Sequence, residues 1–233
     1  MTFSLGLVGG VSGRVNCELA RVRQYLLMNR LKGIIHVGAN LAQECGYYER
    51  FGLNVLWIEP NLEIFNQLKI IIAPYVRQRS LQYLVLDEDH KKSTLHITND
   101  SGGSSSVLSM AQFRDVWSSI NVIRDVEMLA YKLDTIVEKE AVDLSNYDGL
   151  VLDTEGSELL ILKGARNVLQ TMKMVKIEVA DFEVRSGCPR PEQIAEILKE
   201  YDLHERWRVP HRERHPDGGQ VYDITYLRGR NLA

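Results

Sequence analysis

The stretch Ile34-Ile35-His36-Val37-Gly38-Ala39-Asn40 decides how the chain is read. A short apolar run, the mark of a buried strand, breaks at a glycine and passes into polar residues. Glycine permits positive φ and close backbone approach to a ligand. Gln43–Phe51 then reads as a helix ended by Gly52. The first N–H groups of such a helix and its dipole favour electron-rich partners. Outward from this unit, Val55–Ile58 is a second strand, stopped at Glu59-Pro60, and Leu62–Ala73 a second helix. Leu81–Leu86, Thr94–Thr98, Gly149–Leu152 and Val175–Val179 read as strands. Met110–Ile120, Ser157–Met172 and Pro191–Glu200 read as helices. His204–Val209 and Val221–Leu227 are further strands, with a charged turn between them over Pro210–Gly219.

Alternating strands and helices imply an α/β fold with a mostly parallel central sheet, helices on both faces, and an antiparallel edge addition at the end of the chain. Leu19, Val22, Leu26 and Leu27 carry helical spacing, so residues 1–32 are expected to form an N-terminal helical extension ahead of a domain over 33–233. In such sheets ligands bind beyond the carboxyl ends of the strands, where strand order reverses. Gly38, Glu59, Asp87, Asp153 and Glu178 each stand just after an expected strand or at its end.

Composition narrows the function. The chain has 233 residues, 45% hydrophobic and 25% charged, which suits one α/β domain. A net charge of −3 argues against a nucleic-acid partner, which requires a basic face. The three cysteines Cys17, Cys45 and Cys188 are too scattered for a disulfide framework or a zinc site, and fit a reduced, cytoplasmic setting. Met1–Gly10 lacks the basic start of a signal peptide, and no run reaches the roughly 20 apolar residues of a membrane span.

Glu59 follows the second strand at about 20 residues past the glycine turn, the position from which an acid takes both ribose hydroxyls in nucleotide-binding α/β domains. The full glycine set of a dinucleotide site is missing, and so is a cation for a pyrophosphate. An adenosine with a non-phosphate tail, such as S-adenosylmethionine, fits better. A nicotinamide-dependent oxidoreductase and a non-catalytic nucleoside-binding module are the alternatives.

A second polar tip follows in Leu152-Asp153-Thr154-Glu155-Gly156-Ser157-Glu158. Asp153 ends a strand, and Glu155 and Glu158 lie three apart, on one face of the first helical turn. Such carboxylates serve as a general base or contact substrate. Hard oxygen donors also suit Mg²⁺ or Mn²⁺, with Glu178 or Asp181 completing a set; a metal is not the favoured reading. His36 is weighed as a base near the donor against a hydrogen-bonded histidine of the fold. The segment Asn99–Ser106, with Ser104, Ser105 and Ser106, is expected to be a flexible, hydroxyl-rich loop able to close over an acceptor. His211 and His215 are expected in a solvated loop.

The runs Ile-Ile-His-Val-Gly-Ala-Asn, Trp-Ile-Glu-Pro-Asn, Leu-Asp-Glu-Asp-His and Leu-Asp-Thr-Glu-Gly-Ser-Glu-Leu-Leu-Ile-Leu-Lys-Gly-Ala together resemble FkbM-type methyltransferases over roughly residues 33–203. The resemblance implies a Rossmann-like methyltransferase fold, S-adenosylmethionine as donor, and a hydroxyl of a sugar, glycan or natural product as acceptor. It implies that Gly38, Ala39 and Asn40 border the methionine part, that Glu59 holds the ribose, and that Asp87 meets the adenine. His36 stands where many members carry Asp, and Ala42 where many carry a second glycine.

Overall fold

A computed structural model describes residues 22–229. Its main sheet has seven strands: β1 (Gly33–Val37), β2 (Asn54–Ile58), β3 (Gln78–Leu81), β7 (Gly149–Leu152), β8 (Met174–Ala180), β9 (Leu203–Arg214) and β10 (Gln220–Arg228). Their spatial order is β3-β2-β1-β7-β8-β10-β9. All run parallel except β10, which is antiparallel to both β8 and β9. The antiparallel strand is thus inserted one place inside the edge, and β9 forms the edge.

Strand alternation sends the two halves of each apolar run to opposite faces. Ile35, Val37, Leu56, Ile58, Leu150, Leu152, Val175 and Ile177 build one core. Into it pack α5 (Leu133–Lys139), α6 (Glu158–Lys163), α7 (Arg166–Thr171) and α8 (Pro191–Lys199). Ile34, Val55, Trp57, Val151 and Met174 build the other, against α2 (Cys45–Arg50) and α3 (Leu62–Ile72). Met28, at the end of the helix over residues 22–28 (α1), and Leu31 join this second core. The earlier part of the expected N-terminal helix lies outside the described residues.

Four expectations need correction. The run Leu81–Leu86 is not one strand. It divides into β3 and β4 (Leu84–Val85), and β4 belongs to a separate three-stranded sheet, β4-β6-β5, with β5 (Lys91–Thr98) and β6 (Val122–Tyr131). The expected helix Ser157–Met172 is two, α6 and α7, with Gly164 at the end of α6, where a Cβ would stand 2.4 Å from the Leu86 carbonyl oxygen. Pro210 does not open a turn but lies within β9, where the edge of the sheet tolerates a residue without N–H. Of Met110–Ile120, only Phe113–Val116 (α4) is helical.

Candidate active site

Strand order reverses between β1 and β7, and a cleft lies beyond their carboxyl ends. Gly38 and Asp153 stand at the two lips. Gly38 has φ +83°, and a Cβ built on it would lie 1.8 Å from the Asp153 carbonyl oxygen. The Gly38 and Ala39 amides both donate to the Ile58 carbonyl, at 3.0 and 3.1 Å, which curls the turn toward β2. Gly38, Asn40, Glu59, Asp153, Thr154 and Glu155 line the cleft, and Tyr83, Leu84, Val85 and Leu95 of the small sheet and its approach form the opposite wall. Ala39 is buried in the second core. Ala42 adopts φ +48°, a left-handed backbone that explains why glycine suits this position. Its methyl is fully buried in the same core.

Glu59 joins the two loops. Its Oε2 accepts from the Asn40 amide at 2.9 Å and its Oε1 from the Asn61 amide at 2.8 Å. Each oxygen keeps a lone pair for a further donor. The side chain is buried, which pushes its pKa up to about 7 against the pull of the two amides. A carboxyl whose folded pKa lies above its ordinary 4.5 retains its proton in the folded chain where the unfolded chain has lost it. Stability therefore falls as pH rises through that window. Between about pH 5 and 7.5 the melting temperature of the ligand-free chain should drop more steeply than that of Glu59→Gln. Equal slopes would remove Glu59 as the group responsible.

At the second lip, Asp153 is open to the cleft. Although the side chain is exposed in the cleft, the protein crowded around it and then the neighbouring Glu155 and Asp223 carboxylates raise its pKa to about 7, with Lys176 opposing. Glu155 sits at φ +57° and pairs with Arg185, whose Nη2 is 3.1 Å from Oε2. Its pKa is also raised, by burial foremost, with Arg185 opposing. Glu158 is turned inward instead. Its Oε1 accepts from the Thr154 amide and hydroxyl and the Gly156 amide, closing the turn into α6.

The serine segment is a hydrogen-bonded turn rather than a loose loop. The Ser104 hydroxyl donates to Asp100 at 2.7 Å, and the Ser106 hydroxyl donates to the Glu155 carbonyl at 2.8 Å. Both serines are buried; Ser105, with Gly102 and Gly103, borders the cleft.

Three sequence-expected residues stand elsewhere. His36 is buried on the opposite side of its strand from Val37, its ring 4.9 Å from Trp57 and its Nδ1 3.4 Å from the Tyr48 hydroxyl. Burial, with Lys176 nearby, lowers its pKa to about 3. It is a neutral histidine of the core and does not border the cleft. Asp87 follows β4, not the third strand of the main sheet, and its Oδ1 is held by Lys91 at 3.1 Å. Asp87 is not among the residues lining the cleft, where Tyr83–Val85 stand instead. Asp181 is occupied by the Gln220 amide and the Tyr222 hydroxyl.

Four residues near the site were not singled out as a group by sequence reasoning: Lys176, Arg185, His211 and Asp223. Each is an ionisable side chain on β8, β9, β10 or a following loop, reaching the site through pairing between strands distant in sequence.

The chain's sequence matches no curated protein. Solved structures do match in shape. A putative sarcosine dimethylglycine methyltransferase from Galdieria sulphuraria aligns with TM-score 0.51 at 8% identity, over 97% of this chain and 92% of that one. Magnesium protoporphyrin IX methyltransferase from Synechocystis PCC 6803, with bound SAH, aligns with TM-score 0.49 at 8% identity, over 96% and 89%. The first likeness places the sheet and its helices among Rossmann-like methyltransferase folds. No helix among the described residues is long and apolar enough to cross a membrane. The family model of the methyltransferase FkbM domain matches residues 36–204, more than two thirds of the chain, and so the chain belongs to the FkbM methyltransferase domain family.

Proposed function

We propose that the chain transfers a methyl group from S-adenosylmethionine to a hydroxyl of a sugar, glycan or natural-product acceptor. The observation that carries this reading is the union of the Gly38 turn and the Glu59 and Asp153 carboxylates around one cleft at the strand-order reversal. The Glu59 oxygens, each already fixed by one amide, accept the two ribose hydroxyls of the donor. The turn at Gly38–Asn40 borders the methionine part, and Tyr83–Val85 flank the adenine. Asp153 takes the acceptor's proton: a carboxylate whose proton affinity is raised toward neutrality is a better base than an ordinary one. The acceptor oxygen attacks the methyl carbon in line as the carbon–sulfur bond breaks, and the sulfonium becomes a thioether. Holding donor and acceptor in register contributes the larger share of the rate, an effect of about 7–11 kcal/mol in well-oriented systems.

The test uses S-adenosylhomocysteine calorimetry and transfer of labelled methyl to a panel of glycosides and polyhydroxylated acceptors. Glu59→Ala should weaken S-adenosylhomocysteine at least about tenfold, the loss of charge-assisted hydrogen bonds worth roughly 1.5–3 kcal/mol. Asp153→Asn should bind it as the wild type does, while turnover falls by about 10²–10⁴. Normal turnover in Asp153→Asn would remove the base, and normal affinity in Glu59→Ala would remove the ribose contact.

A further inference from the structure

Beside Asp153, the ends of three strands bring two carboxylates and an imidazole together. Glu178 of β8 and Asp223 of β10 are directly paired across the ladder. Asp223 is also paired with Val209 of β9, and His211 lies two residues beyond it on that strand. One donor atom from each of Glu178, His211 and Asp223 lies within 4.8 Å of the other two, and all three residues are half-buried. His211 Nε2 stands 3.5 Å from Glu178 Oε2 and 3.8 Å from Asp223 Oδ1.

Those separations are longer than the usual N···O distance of a hydrogen bond, about 2.7–3.2 Å, though within ion-pair reach of a protonated imidazole. They are close to the spacing of ligands on one ion, since donors about 2.1 Å from a tetrahedral centre lie roughly 3.4 Å apart. The remaining Asp223 oxygen, Oδ2, is held by Lys176 at 3.0 Å, leaving Oδ1 directed at His211. An outer partner that fixes a carboxylate in this way is typical of ligand sets. Glu178 belongs at the same time to a second group with Asp153 and Glu155, again with oxygens within 4.8 Å.

We infer that Glu178, His211 and Asp223 form a binding site for a divalent first-row transition ion of the Mn²⁺ or Zn²⁺ class, adjoining Asp153. One imidazole among carboxylates selects these ions over Mg²⁺ and Ca²⁺, which take oxygen donors. An ion here would accept the acceptor's hydroxyl oxygen as a further ligand and lower its pKa, with the proton passing to Asp153. The oxygen's electron pair then forms the bond to the methyl carbon, and sulfur keeps the pair of the broken bond. This catalytic role rests on the methyl-transfer reading; the binding of the ion does not.

The experiment titrates Mn²⁺ alone and Zn²⁺ alone into the full chain, by calorimetry and, for Mn²⁺, by the electron-paramagnetic signal of the free ion. The expected result is one saturable site per chain for at least one of the ions. Its affinity should fall at least about tenfold in His211→Ala and in the near-isosteric Glu178→Gln. It should hold in His204→Ala, which removes a different imidazole, one paired with Asp202. Circular dichroism checks that each variant is folded. Absence of saturable binding by both ions, or wild-type affinity in His211→Ala and Glu178→Gln, overturns the site. S-adenosylhomocysteine titrated in parallel separates the two readings. A chain that takes the ion and ignores the nucleoside keeps this site and loses the donor assignment; the reverse result does the opposite.

Discussion

Gly38→Ala is expected to abolish measurable S-adenosylhomocysteine binding and to destabilise the chain by about 2–4 kcal/mol, within the range seen when a special backbone position is violated. Two separate effects act at this position. The φ of +83° lies where an L side chain is strained. The added Cβ would also meet the Asp153 carbonyl oxygen at 1.8 Å and its carbon at 2.7 Å. Both are backbone atoms, so no rotamer change relieves the contact. The tips of β1 and β7 must separate, and the amides of Gly38 and Ala39 then lose their shared acceptor at Ile58. The clash therefore moves both lips of the cleft at once. Gly46→Ala is the control. Gly46 lies in α2, and the nearest atom to its added Cβ is the Tyr75 hydroxyl at 3.7 Å, an ordinary contact. Alanine there should leave binding intact and stabilise the helix by up to about 1 kcal/mol. Thermal melting and calorimetry on both variants decide the matter. A Gly38→Ala chain that melts and binds like the wild type would mean the two strand tips do not abut.

The same closeness explains why this part of the site is legible from sequence. Gly38, Glu59 and Asp153 each follow an apolar run within one or two residues, and a parallel sheet collects such positions at one end without any knowledge of side-chain packing. Ser106 and Glu158 illustrate the limit. Their residue types suggest contact with a substrate, yet the Ser106 hydroxyl closes on the Glu155 carbonyl and Glu158 closes its own turn. Which way a polar side chain turns is decided by neighbours remote in sequence. Asp87 misleads for a different reason. The apolar residues before it look like the third strand of the main sheet, but Leu84 and Val85 pair with Ala130 and Tyr131 in the small sheet. His211 is obscured because an edge strand need not alternate strongly, and β9 is charged on much of its length. Its local sequence is that of a turn, but it lies in a bulge of β9, between Pro210 paired with Tyr222 and Arg214 paired with Gln220.

Arg185 is the clearest case of a site residue hidden by distance, and its replacement should have the other large effect. The side chain is fully buried. Its Nη2 donates both to the Ser104 carbonyl and to Glu155 Oε2, linking segments 81 and 30 residues away. The guanidinium lies over the Phe113 ring, 4.3 Å from its centre. It thus ties the serine turn, which brings Ser105 to the cleft, to the turn after β7, which carries Asp153. Arg185→Met keeps much of the stem but leaves Glu155 without its cation, and uncovering one partner of a buried pair costs about 3 kcal/mol or more. Arg185→Lys should recover only part of this, because an ammonium cannot reproduce the guanidinium's stacking on Phe113. Adding Glu155→Gln to Arg185→Met removes the stranded charge, so the double variant should be more stable than Arg185→Met alone. A residue that merely filled space would give additive losses in this cycle. The binding readout points the same way: S-adenosylhomocysteine affinity should fall in Arg185→Met although Arg185 does not border the cleft. Additive melting temperatures together with unchanged affinity would reduce Arg185 to packing. Strong coupling with weakened binding would make it the positioning residue that sets the distance between the two walls.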